Sequence, residues 1–398
     1  MTSAAQGGRP PYPPRAASGG NDRDGRMIVG VIGAGNVTGQ YLPSLLSYPD
    51  LEVRGIADLD TGRAAAVAAE YGLPFSGTAA GLLAIDDIEL VVNLTTPAAH
   101  AEVGLAVVES GRHLWGEKPL TMDRESGRRV LEAAGAAGVA VGNAPDTILG
   151  PAIQNSQRLL AQGAIGAPQT LLTLMQGPGP DRWHPRPQFL FARGAGPLFD
   201  IGPYYLTTMV QLLGPIERVE AAGHRARAER VIGAGPDAGT TFPVEVDTHV
   251  SVLTTFRSGV VGTSVYSFDS TVSRQAFEIS GAHGTMEVPV SGFDGPTRLL
   301  REPGPDSDWE TIAPPGEPCD RGVGVLEMAR AIRAGRPPRA SGQLAFHVLD
   351  VLLAIEESAA SGQPVAVTST ADPVLPLEED WSPTAVTLPA GQPERMAQ

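Results

Sequence analysis

Residues 27–58 read MIVGVIGAGNVTGQYLPSLLSYPDLEVRGIAD: an apolar run, a glycine-punctuated turn, an amphipathic stretch, a second apolar run and an acid at its end. This is the layout of a dinucleotide-binding βαβ unit. Val29, Val31 and Ile32 form a buried-strand run, and Val37, Tyr41, Leu45 and Leu46 recur at helical spacing after the turn, where Pro43 bends or tightens the helix. Gly33 and Gly35 let the backbone turn tightly and approach a pyrophosphate, whose charge the following helix N-terminus stabilises. Asp58 lies about 20 residues on, where a carboxylate takes both ribose hydroxyls. The third small position of G-x-G-x-x-G falls on Thr38, with Gly39 one residue late, so the strand and helix on either side carry the reading more than the glycines do. The expected ligand is a nicotinamide dinucleotide, lined by Gly33, Gly35, Asn36, Val37, Thr38, Asp58 and Leu59. Asp58 repels a 2′-phosphate and Leu59 offers no compensating cation, which favours NAD over NADP; Arg63 is the one residue that could reverse this.

At 398 residues the chain suits two domains, and no apolar run approaches the roughly 20 residues of a membrane helix. Residues 1–26 carry Pro, Gly, Ser and Arg without an apolar stretch, so a disordered leader is expected there and a cytoplasmic location with it. Cys319 is the sole cysteine, which excludes an internal disulfide and any multi-cysteine metal site; an inert thiol is expected. The seven histidines lack metal-ligand spacing, so no metal site is expected. With 29 Lys and Arg against 44 Asp and Glu the net charge is −15, which disfavours nucleic acid or an anionic membrane as partner and suits a neutral substrate.

Apolar runs and helical stretches alternate up to Asn143, the pattern of a doubly wound parallel sheet. The second half changes character. A helix near residues 151–162 and a strand at 169–176 precede an aromatic, proline-rich loop, and then THVSVLTTF, VVGTSVYSF, QAFEIS and GTMEVPV alternate apolar and polar residues. These four predict an antiparallel meander with one face buried and one free, the free face serving a homodimer or homotetramer. The fold class is α/β: a Rossmann domain over 27–145, an α+β substrate-binding and oligomerisation domain with a large, mostly antiparallel, open-faced sheet over 146–366, and a tail or an arm over a partner from 367 to 398.

The tripeptide Glu117-Lys118-Pro119 follows a short strand, at the edge where open α/β sheets place their ligand crevice. Lys118 can there hydrogen-bond a carbinol oxygen, with Glu117 orienting it and desolvation lowering its pKa. Taken together and in order, VIGAGNVTG, IADLD, NLTTPAAHAE, GEKPLT and GPLFDIGPYYL resemble the Gfo/Idh/MocA oxidoreductases, a family that includes glucose–fructose oxidoreductase and inositol dehydrogenases. The resemblance covers roughly residues 27–365. It implies hydride transfer between NAD, with NADP also possible, and a small-molecule sugar, glycoside or cyclitol, with Lys118 in the active site. It also implies cofactor contacts at Thr95, Thr96, Pro97, His100, Glu117 and Lys118.

The family's D-x-G-x-H-x-x-D element is matched by Asp200 through Thr207, with Tyr204 in place of the histidine and Thr207 in place of the last aspartate. A phenol beside an ammonium, which lowers its pKa, can exchange a proton, so Tyr204 with Lys118 is the expected acid/base pair. His184, within Trp183-His184-Pro185, is the rival acid/base or a substrate contact, and Trp183 and Phe189 could form a platform for a sugar face. Asp200 could bind hydroxyls, fix Lys118, or cap the Tyr204 helix. Asp146 and Thr147, in the crossover between domains, could face the substrate. Two alternatives stay open: redox-assisted glycoside cleavage with bound NAD, and a non-catalytic dinucleotide-dependent regulator.

Overall fold

The computed structural model describes residues 25–290, 292–301, 304 and 307–388; apart from Gly25 and Arg26, the expected leader lies outside the described residues. Its first layer is built from β1 (Met27–Ile32), α1 (Thr38–Ser47), β2 (Leu51–Ala57), α2 (Thr61–Tyr71), β3 (Phe75–Gly77), α3 (Ala79–Leu83), β4 (Leu90–Asn93), α4 (His100–Glu109), β5 (His113–Gly116), α5 (Arg124–Ala137) and β6 (Val141–Asn143). The strands pair in parallel in the order β3-β2-β1-β4-β5-β6. Residues buried on both faces explain the unbroken apolar runs of β1 and β4. The order reverses between β1 and β4, so the crevice for a ligand opens beyond their carboxyl ends. Helix ends follow their capping residues: the Asp60 carboxylate accepts Arg63 N–H before α2, that of Asp123 accepts Ser126 N–H before α5, and left-handed Gly72 and Gly138 close the two helices. Leu46 keeps the helical spacing of α1 but is exposed; Tyr41, Leu42 and Leu45 are the buried face.

The second layer follows as α6 (Pro151–Ala161), β7 (Pro168–Gln176), α7 (Gly196–Leu213), β8 (Ile216–His224), β9 (Glu229–Val231), β10 (Thr241–Pro243), β11 (His249–Phe256), β12 (Val261–Ser267), β13 (Arg274–Gly281), β14 (Gly284–Glu287), β15 (Thr297–Leu300), β16 (Glu310–Ile312), α8 (Val323–Arg333), α9 (Gly342–Ser361) and β17 (Val365–Ala366). Its large sheet has the order β16-β15-β14-β13-β7-β12-β11-β8-β17. The expected meander is corrected here. Strands β11 and β12 pair as a hairpin, and so do β13 and β14, but β7 lies between the two hairpins, parallel to β12 and antiparallel to β13. The alternation of each strand was legible, whereas the insertion of an earlier strand leaves no local signal.

Helices α7 and α9 cover one face of this sheet. On the other, Leu253, Thr263 and Leu172 stand in one cross-strand row, flanked by Glu220 and Glu278, and Leu172, Leu253 and Val261 are each nearly half exposed. The segment entering α9 also ties the layers together, since Asn143 N–H donates to the Ala340 carbonyl and Ser341 bridges to Gly142 at the edge of the parallel sheet. Among the described residues no helix is long and apolar enough to cross a membrane.

Of the segment read as a tail or an arm over a partner, the described residues 367–388 pack against their own chain. Gln154 accepts Leu377 N–H, Arg158 and Arg339 donate to carbonyls of 375–378, and the fully buried Asp50 carboxylate accepts from Arg330 and from Thr387 and Leu388 N–H.

His347 on α9 is fully buried, with Nε2 accepting Ile216 N–H at 3.1 Å and Nδ1 2.9 Å from Ser369 Oγ. Burial pushes its imidazole down from 6.5 to about 4, so between those values the unfolded chain binds a proton more readily than the folded one. Stability present above pH 6.5 is therefore lost as pH falls through about 4, by on the order of 3 kcal/mol at full extent. Urea unfolding measured from pH 7 downward should show this loss, and His347→Gln should flatten the dependence in that window; an unchanged slope in the variant would refute the assignment.

Candidate active site

The turn after β1 is built around one backbone contact. Gly33 has φ +111°, and a Cβ there would stand 2.5 Å from the Leu94 carbonyl oxygen, so the ends of β1 and β4 can meet this closely only at glycine. Gly35 is exposed, with nothing within 4 Å of where its Cβ would stand. That open side, before the first turn of α1, fits an approaching pyrophosphate. Thr38 takes the third small position by burying its side chain and donating Oγ1 to the Gly33 carbonyl at 2.8 Å. Asn36 is exposed and Val37 half-buried beside them.

Asp58 Oδ2 accepts Ala34 N–H at 2.7 Å, which fixes the turn, and Oδ1 accepts Asp60 N–H at 2.8 Å and Arg63 Nη2 at 3.2 Å. Burial works against its charge, but these amides and Arg63 outweigh it and hold the carboxyl below the usual range. Leu59 is fully exposed next to it. Beyond β4, Thr95 Oγ1 donates to Asn93 Oδ1 at 2.6 Å, while Thr96 and Pro97 are exposed. His100 is buried, its Nδ1 2.6 Å from the Pro119 carbonyl and its Nε2 3.1 Å from that of Thr95. Its ring thus braces the Lys118–Pro119 turn against the Thr95 turn, and burial lowers its pKa. An open glycine edge, a helix N-terminus and a fixed carboxylate together suit a nicotinamide dinucleotide.

At the end of β5 the chain delivers Glu117 and Lys118. Lys118 Nζ donates to the Asp200 carbonyl at 2.8 Å and to Asp200 Oδ1 at 3.0 Å, and lies 5.6 Å from the centre of the Tyr204 ring one turn along α7. Glu117 Oε1 accepts Tyr41 Oη–H at 2.8 Å and Oε2 accepts Lys118 N–H at 2.9 Å. Arg321, on the segment leading into α8, joins them: it donates Nη2 to Tyr204 Oη at 2.9 Å and places Nη1 3.6 Å from Glu117 Oε1.

The electrostatics correct two expectations. Burial acts to discharge Lys118, but Asp200, Tyr204 and Glu117 prevail and hold the ammonium above the usual lysine range. Tyr204 is also raised, because burial outweighs the favourable Lys118 and Arg321 charges. Both groups therefore carry their protons at neutral pH. Nor does Asp200 cap the helix: α7 begins at Gly196, so Asp200 lies inside it and its carboxylate is free to pair with Lys118.

Among the described residues, His184, Trp183 and Phe189 make no hydrogen bond or ring contact with this cluster. The His184 ring packs edge-on to Trp183 and Phe189, and its Nδ1 accepts Arg186 N–H at 3.0 Å, so its contacts stay within its own loop; Trp183 and Phe189 are mostly exposed. Asp146 and Thr147 are buried, not open to solvent. Asp146 Oδ2 accepts Gly322 and Gly324 N–H at 2.7 and 3.2 Å, capping α8 from across the fold. Thr207 and Cys319 are buried, and burial raises the Cys319 thiol pKa. Sequence reasoning missed Arg321, which sits in CDRGVG more than 110 residues after Tyr204 with no motif to mark it.

Residues 27–144 match the family described as "Oxidoreductase family, NAD-binding Rossmann fold", and residues 153–287 match "GFO/IDH/MocA C-terminal domain". The chain is 26% identical to D-xylose 1-dehydrogenase (NADP(+)) 2 of Haloferax volcanii, over 85% of this chain and 99% of that protein. It is 28% identical to inositol 2-dehydrogenase of Rubrobacter xylanophilus, over 66% of this chain and 72% of that one. The solved structure of a levoglucosan dehydrogenase in complex with NADH and L-sorbose has the same fold, with a TM-score of 0.76 at 22% identity, covering 86% of this chain and 99% of that one. With an NAD-binding domain and a C-terminal domain of the same lineage in order along it, the chain belongs to the Gfo/Idh/MocA family of oxidoreductases.

Proposed function

We propose that this oxidoreductase moves hydride between NAD and a secondary alcohol of a sugar, glycoside or cyclitol, with Lys118 holding the reacting oxygen and Tyr204 exchanging its proton. The observation that carries this is the convergence of Lys118, Asp200 and Tyr204 at the end of β5, beside the crevice opened by the Gly33 turn. The xylose, inositol and levoglucosan relatives support the substrate class. When bound, the nicotinamide supplies the hydride acceptor or donor.

Two of the three N–H bonds of Lys118 go to Asp200, which leaves the third to hold a substrate oxygen and stabilise charge developing on it. Tyr204, protonated at neutral pH, is ready to protonate a carbonyl oxygen during reduction. In oxidation the alcohol proton must pass to a phenolate. Because burial raises the phenol, that form grows with pH, and oxidation should accelerate toward alkaline pH.

Lys118→Met should abolish turnover and leave NAD affinity nearly intact, since it removes the charge but keeps most of the volume. Tyr204→Phe should lower turnover by about 10²–10⁴-fold and flatten the alkaline rise. A fully active Tyr204→Phe beside a dead His184→Ala would move the proton to the loop histidine.

For the cofactor, Asp58 is expected to accept the ribose hydroxyls and repel a 2′-phosphate, while Arg63 is engaged with that same carboxylate. Isothermal titration should give tighter binding of NAD than of NADP, and Asp58→Ala should narrow the difference; equal or tighter NADP binding to the native chain would overturn the preference.

A second copy of the chain is the proposed occupant of the open face of the large sheet, as homodimer or within a homotetramer, because Leu172, Leu253 and Val261 form an apolar strip there with charges at its margins. Light scattering should report a dimer or tetramer, and Leu253→Glu should shift it toward monomer. A clean monomer of the native chain would refute the interface.

A further inference from the structure

Tyr204 Oη accepts a hydrogen bond from Arg321 at 2.9 Å, and a guanidinium carries donors only. The phenol's own hydrogen is therefore turned away from Arg321. Among the described residues no side chain or carbonyl accepts it, although the residue is half-buried and Lys118 stands 5.6 Å from its ring. A half-buried hydroxyl that accepts from a guanidinium and whose hydrogen is unclaimed is set to donate to something that enters the site.

Arg321 is held where it can do this. Gly322 and Gly324, on either side of the start of α8, both donate to the buried Asp146 carboxylate. Gly322 has φ +98°, and a Cβ on Gly324 would stand 2.0 Å from the Trp115 ring, so neither the turn nor the helix can slide. Glu117, 3.6 Å from Nη1, braces the guanidinium from the side of β5.

We propose that Arg321 is the positioning residue of the proton transfer: it occupies the Tyr204 lone pair, directs the phenol hydrogen to the substrate oxygen, and stabilises the phenolate left behind. This role presupposes that Tyr204 exchanges the proton. In the reducing direction the carbonyl carbon gains the hydride and its oxygen gains the phenol proton. The Tyr204 O–H bond breaks, and a proton from water later restores it. A phenol is a far weaker acid than an imidazolium, so a tyrosine in this position needs a cation that a histidine does not. The groups facing the phenol are Lys118 from the end of β5, Arg321 from the segment before α8, and Glu117, which opposes both. Asp200 on its own helix pairs with Lys118, and Asp146 lies behind the Arg321 turn.

The test follows tyrosinate formation by ultraviolet difference absorbance on the purified protein without substrate, with Tyr204→Phe identifying the contribution of Tyr204. The pH dependence of alcohol oxidation is measured in parallel. Arg321→Met should move the Tyr204 titration upward by on the order of one pH unit and carry the alkaline limb of kcat with it. It should lower kcat more than it raises KM. Arg321→Lys should restore some of both shifts. Arg321→Gln keeps an amide donor without the charge and gives the same comparison should the methionine variant fail to fold. An unmoved titration and pH profile in a folded neutral variant, beside an impaired Tyr204→Phe, would overturn the positioning role alone. A fully active Tyr204→Phe would overturn the proton assignment and this role with it.

Discussion

Glu117, Lys118, Asp200 and Arg321 meet around one phenol ring with much of their surface withdrawn from water. Ions so placed lose hydration, and only neighbours of opposite sign offset the loss. Lys118 pairs with Asp200 and Arg321 with Glu117, so the cluster is close to neutral as a whole. Taking one partner from such a pair costs about 3–5 kcal/mol where burial is complete, and less here, where each side chain keeps some contact with solvent. The same pairing that makes the cluster tolerable keeps Lys118 an ammonium, a fixed positive charge beside a phenol that burial keeps protonated.

Three distant stretches of chain supply these groups, and the fold brings each by a different device. Glu117 and Lys118 come at the carboxyl end of a parallel strand, where the backbone leaves the sheet next to the switch point. Asp200 and Tyr204 stand four residues apart on α7 and so share one face of it. Arg321 comes on a turn whose shape is dictated by Asp146, a residue of the crossover between the two halves. Glu117 joins all this to the cofactor half, because the hydroxyl that satisfies it belongs to Tyr41 on the helix that follows the glycine turn.

The features legible in the sequence were those with a local period or a local chemical reason. Apolar runs marked β1 and β4, glycine and acid spacing marked the turn and Asp58, and a lysine between an acid and a proline marked the end of β5. What escaped depended on chain crossings. Nothing in residues 168–176 says that they will separate a pair of hairpins formed about a hundred residues later, and nothing in residues 319–324 says that an arginine there will reach a tyrosine on α7. The protonation states of Lys118 and Tyr204 also escaped. They turn on the balance between burial and pairing, which a sequence does not contain, and each fell opposite to the expected direction.

The Asp50 carboxylate sits just ahead of β2, fully buried, and accepts bonds from Arg330 and from the backbone of Thr387 and Leu388. A ribosome releases these groups in a fixed order. The parallel sheet can assemble once β6 has emerged, yet the partners of this carboxylate come about 190 to 245 residues after β6. Until residues 387 and 388 have been made, the growing sheet must therefore keep one corner open to water.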